Sequence, residues 1–350
     1  MKKAGKFLRG NALTYLMVIA AYIIMVLLND NKMLTRSMRG QLVPICVYIV
    51  MAISLNLTVG ISGELSLGHA GFMSVGAFTG VIAAALFTSV EAEWLRLLLA
   101  MAFGGVFAAI AGVIIGVPVL RLRGDYLAIV TLAFGEIIRN VINCLYVSLD
   151  GGALRVSFSD PSIPGKMLIN GPQGALGIDK LATFGMGFAL ILFTLFVVLN
   201  LIDSRSGRAI MAIRDNRIAA ESVGLSVTHY KLLAFIVSAA LAGMAGALYA
   251  LNYSTVTASK FKFDTSILVL VFVVLGGIGN IRGSVISAAL LTVLPELLRS
   301  FDKYRMLVYA IVLILVMIAT NNPFFKQLLR GCAAFILKPF TRRKKAKEGA

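Results

Sequence analysis

The residues best suited to chemistry lie where two apolar runs meet, between Gly60 and Gly80. This stretch holds six glycines, the carboxylate Glu64 and the histidine His69. An imidazole and a carboxylate at membrane depth could relay protons or contact a polar solute. A helix broken by these glycines would also present free N–H groups and a positive dipole end to a substrate carboxylate. The candidate residues for a solute path here are Gly63, Ser66, Gly68, His69 and Gly71.

The same composition has a second interpretation that needs no ligand. In a tight cytoplasmic turn, glycines such as Gly76 and Gly80 would let neighbouring helices approach closely. His69 would then be a structural histidine, and Glu64 would lie at the membrane surface. The sequence alone does not decide between the broken helix and the cytoplasmic turn.

A second glycine-rich interruption, Leu275–Gly283, separates two later apolar runs, and Pro295 breaks the run that follows. Interruptions at corresponding places in two halves of a chain are expected of transporters built from internal repeats. We therefore predict an internal repeat, and Gly276 and Gly277 join the candidate path.

Two ionisable residues, Glu136 and Arg139, fall inside another apolar run. Because they are three residues apart, both can lie on one face of a helix and pair there. Charged groups inside a span are costly and usually face a partner or a water-filled path. The spacing favours a structural ion pair, with Glu136 kept as a candidate path residue.

The chain contains no Gly-x-x-x-x-Gly-Lys-Ser/Thr loop, so we do not expect it to bind and hydrolyse ATP. No nucleophile–base pair or metal cluster is apparent, and Cys46, Cys144 and Cys332 are widely spaced. The sequence therefore predicts a protein that is not an enzyme and carries no cofactor or metal of its own.

The composition identifies the elements that must position these residues. The 350 residues are 59% hydrophobic and 14% charged, which excludes an ordinary soluble domain. Apolar runs lie at 12–28, 42–60, 66–88, 95–119, 125–148, 181–202, 231–252, 265–281, 284–299 and 304–321. We predict an all-α polytopic membrane protein of about ten transmembrane helices, with eight to ten as the range.

The excess of 33 basic over 16 acidic residues gives a net charge of +17. The basic residues lie mostly in short stretches between apolar runs and at the two chain ends, which fits the positive-inside rule and not a nucleic-acid surface. We predict that both termini are cytoplasmic. Residues 1–325 would form the transmembrane domain, and residues 326–350 a basic cytoplasmic tail that lies on anionic lipid.

Two connections are unusually long: residues 149–180 on the outer side and residues 203–230 on the inner side. The inner loop is basic and contains a predicted helix of about two turns, with Asp215 or Asn216 as N-cap and Gly224 after its end. A helix this short must dock against something to be stable. It either rests on lipid or inserts into a partner protein.

Several stretches resemble the permeases of branched-chain amino-acid ABC importers, of the LivM-type subunit. They cover most of residues 45–320 and are Gly60–Gly80, Leu122–Arg139, Gly207–Asn216 with Ile218–Ala220 and Gly224, Tyr230–Phe235, Val274–Gly279 and Leu294–Leu298. The resemblance implies a cytoplasmic coupling loop formed by Arg214, Asp215, Asn216, Ile218, Ala219, Ala220 and Gly224. Ile218 replaces the glutamate of the general ABC permease signature, and the outer loop carries an insertion at about 150–169 that the resemblance does not explain.

The resemblance also implies partners and a mechanism. A LivH-like second permease, two ATPase subunits that hold ATP and Mg²⁺, and a periplasmic or lipid-anchored substrate-binding protein would complete an importer in the bacterial inner membrane. Leucine, isoleucine and valine are the expected substrates, moved by alternating access. Two alternatives are an ion-coupled secondary transporter that uses His69, Glu64 and Glu136 as relay groups, and a membrane scaffold that transports nothing.

Overall fold

Apolar runs separated by polar turns give a mostly helical chain in the computed structural model. It describes residues 2–31, 35–122, 124–150, 153–158, 164–299 and 304–321. The helices are α1 (Lys2–Asp30), α2 (Arg36–Asn56), α3 (His69–Leu86), α4 (Glu93–Val119), α5 (Asp125–Asn143), α6 (Phe184–Asp203), α7 (Arg205–Asp215), α8 (Arg217–Ser222), α9 (Val227–Ala250), α10 (Phe263–Gly276), α11 (Ile281–Leu297) and α12 (Arg305–Asn321). The chain divides into two compact units, Met1–Val293 and Leu294–Ala350, and all predicted site residues lie in the first.

Seven helices of the described residues are long and apolar enough to cross a membrane. They are Ala12–Asp30, Arg36–Ile61, His69–Ser89, Glu93–Val119, Tyr126–Asn143, Phe184–Asp203 and Val227–Ala250. Each of the ten predicted runs overlaps a helix, but α10 has only 14 residues and α11 and α12 have 17 each. At about 1.5 Å per residue these three fall short of a hydrocarbon core of about 30 Å. The structure therefore gives seven candidate spans, and the predicted number of about ten is not confirmed.

Small residues let α3, α4 and α9 pack closely. A Cβ atom on Gly80 would lie 2.6 Å from the Cβ atom of Ala247, and one on Gly76 would overlap the Gly243 backbone. In a membrane, such close approach supplies much of the attraction between helices, because lipid is as apolar as the side chains. Gly76 and Gly80 thus have the packing role that one interpretation of the sequence predicts.

The helix α2 forms the centre of the first unit, and α1 lies at its edge. In their most apolar windows, 89% of the residues of α2 are buried but only 11% of those of α1. The site described below is therefore built on a buried helix whose polar residues must find partners inside the protein.

The all-α prediction needs one correction, because the connections between α5 and α6 and between α9 and α10 form a sheet. Five antiparallel strands lie in the order β2-β1-β3-β4-β5. Their bounds are Tyr146–Asp150, Ala153–Ser157, Lys166–Asn170, Ala175–Leu176 and Thr255–Val256, numbered β1 to β5 in chain order. Val147 of β1 and its partner Ile169 of β3 are buried, as is Leu168. The unexplained insertion at about 150–169 contributes β2 and most of β3.

The two long connections lie at opposite ends of the first unit. At one end, the end of α2 meets the turn between α10 and α11, since the Gly279 N–H donates to Asn56 Oδ1 over 2.8 Å. The segment between α6 and α9 joins them there through Arg214, which bonds to the Gly60 carbonyl. At the other end, Arg96 of α4 pairs with Asp179, which follows β4, over 2.8 Å. The predicted tail, residues 326–350, lies outside the described residues.

Candidate functional site

A break between two helices lies in the Gly60–Gly80 stretch. The end of α2 widens into a π-helical turn, Leu57–Ile61, and a non-helical segment then leads to α3 at His69. Gly63 has a φ of +75°, which disfavours any residue with a side chain. A Cβ atom at Gly63 would also lie 2.7 Å from Arg214 Cγ. Glycine is therefore required both for the turn and for the approach of the inner loop.

Most of the donors that a substrate carboxylate would use at this break already have protein acceptors. The Leu67 N–H donates to Thr131 Oγ1 over 3.1 Å, and the Ala70 N–H donates to Ser266 Oγ over 3.0 Å. The Gly71 N–H donates to the Gly68 carbonyl over 2.9 Å. These bonds favour a packing role for the start of α3. The buried Ser66 hydroxyl has no hydrogen-bond partner among the described residues.

His69 is a buried residue with a neutral partner. It is 2% exposed, and its Nε2 lies 2.8 Å from Ser54 Oγ. Because the Ser54 hydroxyl donates its only proton to the Met51 carbonyl over 2.9 Å, Nε2 is the donor to Ser54. Glu64 is paired elsewhere, with Lys231. The structure therefore does not join His69 and Glu64 into a relay.

The two glycine interruptions contact each other. The fully buried Asn56 accepts from the Gly279 N–H and donates through Nδ2 to Ser284 Oγ over 2.8 Å. A Cβ atom on Gly60 would overlap the Gly279 backbone. Gly277, with a φ of +92°, lies in this second turn, and Gly276 packs on the backbone that starts α11. Sequence reasoning missed Asn56, although a polar residue inside an apolar run was a signal for it.

The connection between α6 and α9, which the sequence predicts to be the inner loop, contains two helices, of which the sequence predicted one. Ser204 caps α7 by accepting from the Gly207 N–H over 3.0 Å. Asn216 caps α8 by accepting from the Ala219 N–H over 3.1 Å. Gly224 follows the end of α8 with a φ of +85°. Asn216 and Gly224 thus have the local roles expected of them, while α7 was not foreseen.

The residues of α8 divide between two faces. Ala220 is buried against Ile213 of α7 and Val227 of α9, so it holds α8 in place. Ile218 is 81% exposed and Val223 is 75% exposed, and Ala219 is exposed as well. An exposed apolar patch on a short helix is typical of an interaction surface. We call Ile218, Ala219 and Val223 the α8 patch.

Arg214 connects this loop to the helix break. Its Nη1 donates to the Gly60 carbonyl over 2.9 Å, and its Nε and Nη2 bond to Asp215 over 3.1 and 2.9 Å. The largely buried ion pair between Glu64 and Lys231 joins the same break to the start of α9. A cavity of about 320 Å³ lies beside these contacts. It is lined by Gly63, Glu64, Leu65, Leu122, Gly124, Arg217 and Lys231.

Glu136 forms the ion pair that its spacing indicates, with a distance of 2.7 Å to Arg139 Nε. The residue before Glu136, Gly135, packs against the start of α3, and a Cβ atom on Gly71 would lie 3.0 Å from Gly135 Cα. The structure therefore packs Gly68, Gly71 and Gly276 closely on neighbouring backbone and pairs Glu136 on its own helix. Gly63 instead faces the Arg214 side chain, and Gly277 lies in a turn. In the described residues no group of three or more His, Cys, Asp or Glu side chains could hold a metal ion.

Comparison with known proteins identifies the family. Residues 37–317 match the family model of the branched-chain amino acid transport system permease component. The high-affinity branched-chain amino acid transport system permease protein LivM of Salmonella typhimurium is 38% identical over 288 residues, covering 78% of this chain and 66% of that protein. LivM of Escherichia coli K12 is 35% identical over 306 residues, with the same two shares. The permease protein LivH of Salmonella typhimurium is 25% identical over 291 residues, covering 77% of this chain and 88% of that protein.

The matched region spans just under two thirds of the length of the two LivM relatives. No solved structure matches the chain. The family match extends from the first residues of α2 to α12, so it includes both glycine interruptions and the inner loop. This chain belongs to the family of branched-chain amino acid transport system permease components.

Proposed function

We propose that this chain is the permease subunit of an ABC importer that moves branched-chain or related small amino acids by alternating access. The observation that carries the proposal is the hydrogen bond from Arg214 to the Gly60 carbonyl. This bond joins α7, which precedes the exposed α8 patch, to the break that follows the buried helix α2. A partner that pulls on α7 and α8 would therefore act directly on the transmembrane bundle.

The proposed partner at the α8 patch is an ATPase subunit that holds ATP and Mg²⁺. An isolated helix of six residues has no stability of its own, so α8 depends on the Asn216 cap and on the buried Ala220. These contacts fix α8 while leaving Ile218 and Val223 available. Rigid presentation of a few apolar side chains is what docking on a partner requires. Two ATPase subunits would serve this chain and a LivH-like second permease.

The proposed orientation places α7 and α8 in the cytoplasm of a bacterium and the sheet outside its inner membrane. If the N-terminus is cytoplasmic and α1 to α6 each cross the membrane, the α6–α7 connection is cytoplasmic. The basic residues Arg205, Arg208, Arg214 and Arg217 agree with this. The short helices α10, α11 and α12 would complete about ten crossings and return the C-terminus to the cytoplasm. A periplasmic or lipid-anchored substrate-binding protein would dock on the outer side.

The test is uptake by the assembled complex in proteoliposomes. The chain is reconstituted with its second permease, ATPase subunits and substrate-binding protein, and radiolabelled leucine is supplied outside with ATP inside. We expect uptake that depends on ATP and is lost when the ATPase carries a substitution in its phosphate-binding lysine. Uptake by the chain without ATPase subunits, driven by a proton or sodium gradient, would establish a secondary transporter and overturn the proposal.

A further inference from the structure

The connection between α9 and α10 encloses a pocket of about 210 Å³. We call it the outer pocket, and it is lined by Tyr249, Tyr253, Thr255, Val256, Thr257 and Lys260. It lies at the end of α9 that is remote from α7 and α8, because α9 starts beside them at Val227 and ends at Ala250. Thr255 and Val256 form β5, so the pocket lies where the sheet meets the helices.

One wall of the outer pocket is aromatic and firmly supported. The rings of Tyr249 and Tyr253 are 5.0 Å apart between centroids. Tyr249 also contacts the buried Phe261 edge-on at 5.9 Å, and Phe261 contacts Phe78 of α3 at 6.2 Å. Aromatic faces attract both apolar groups and cations such as an ammonium group. The wall therefore suits a small ligand that carries an apolar group and a positive charge.

The pocket also holds a cation that no described carboxylate neutralises. Lys260 is exposed and takes part in none of the ion pairs found among the described residues. Its backbone is fixed, since its N–H donates to the Thr257 carbonyl over 3.1 Å and its carbonyl accepts from Thr265 Oγ1 over 2.8 Å. Lys260 and the two tyrosines thus line the same pocket, and the ammonium group of Lys260 can bind an anionic partner there.

We propose that the outer pocket binds a free α-amino acid with an apolar side chain. The carboxylate lies against Lys260, the ammonium group lies against the tyrosine rings, and the side chain packs on Val256 and the aromatic wall. The pocket volume is smaller than the range of about 300–1,000 Å³ that drug-sized ligands occupy, which suits a solute of this size. The inference rests on the proposed function and adds where on this chain the solute first binds.

The experiment measures equilibrium binding of radiolabelled L-leucine to the assembled complex in nanodiscs, without the substrate-binding protein. Lys260→Met should weaken leucine binding about fivefold, as for one partly solvated ion pair. It should not weaken the binding of L-leucinamide, a cation that lacks the carboxylate. Lys260→Arg should retain leucine binding, and Tyr253→Ala should weaken both ligands. The matched control is Lys262→Met, an exposed lysine two residues away that does not line the pocket.

The outcomes separate this inference from the proposed function. Equal leucine affinities for Lys260→Met and Lys262→Met would overturn the inference. A Lys260→Met complex that binds leucine normally but no longer binds the substrate-binding protein would overturn it as well. The proposed function fails if the wild-type complex shows no ATP-driven uptake, regardless of how the Lys260 variants bind leucine. Complex yield and thermal unfolding of each variant show whether it is assembled, and Tyr253→Phe provides a conservative variant if Tyr253→Ala does not assemble.

Discussion

The hydrogen bond between Arg214 and the Gly60 carbonyl makes a quantitative prediction about coupling. Arg214→Met removes a charge-assisted bond to a buried carbonyl, and such bonds contribute about 1.5–3 kcal/mol. The Arg214 side chain is 37% exposed, so water screens part of this, and we reduce the expected loss to about 1 kcal/mol. That free energy corresponds to about a fivefold change in an equilibrium between two conformations.

The assay is the number of leucine molecules imported per ATP hydrolysed in proteoliposomes. We expect this ratio to fall about fivefold in Arg214→Met. The unfolding temperature of the complex should fall by only a few degrees, because about 1 kcal/mol is lost and Asp215, the other partner of Arg214, is exposed. The control is Arg208→Met on the same helix, whose guanidinium bonds to the Asp203 carbonyl over 3.0 Å and does not reach the break. A wild-type ratio in Arg214→Met, or an equal fall in Arg208→Met, would refute the reasoning.

Three further predictions concern packing, the buried amide and the docking surface. Gly76→Ala places a Cβ atom against the Gly243 backbone and should destabilise the complex by about 1–3 kcal/mol, seen as a lower unfolding temperature, whereas Gly40→Ala, with nothing within 4 Å, should not. Asn56→Leu leaves the Gly279 N–H without its acceptor and should cost about 2 kcal/mol in the same measurement; an unchanged midpoint would contradict the role of Asn56. Ile218→Asp should abolish copurification of the ATPase without lowering the unfolding temperature of the permease, and full retention would remove the α8 patch as its docking surface.

Local patterns predicted the features that short stretches of chain determine. Glycine density marked the Gly60–Gly80 stretch as unusual, and the three-residue spacing of Glu136 and Arg139 indicated their ion pair. The sequence offered Asp215 or Asn216 as the cap of α8, and the structure has Asn216. Each of these depends on residues within one or two turns. The predicted sidedness, coupling roles and partners stay predictions, since nothing in the fold tests them.

The contacts that join distant parts of the chain were beyond sequence reasoning. Asn56 and Gly279 are 223 positions apart, and Arg214 and Gly60 are 154 apart, so no periodicity connects them. The sheet was missed because its strands have at most five residues. In addition, four helices, α6 to α9, separate the edge strand β5 from β4 in the sequence. The count of about ten spans is not confirmed, because an apolar run shows hydrophobicity but not where a turn such as that at Gly277 ends the helix.

The pairing of β4 with β5 has a consequence for biosynthesis. Ala175 pairs with Val256, so about 80 residues, including α6 to α9, are made between the two strands. At about 5–20 residues per second, β4 waits roughly 4–16 seconds with one edge unpaired. If α9 crosses the membrane as proposed, β5 reaches that edge only after α9 has been inserted in the correct direction. In that arrangement, β4 and β5 can pair only after the helices between them have been inserted in the correct orientation.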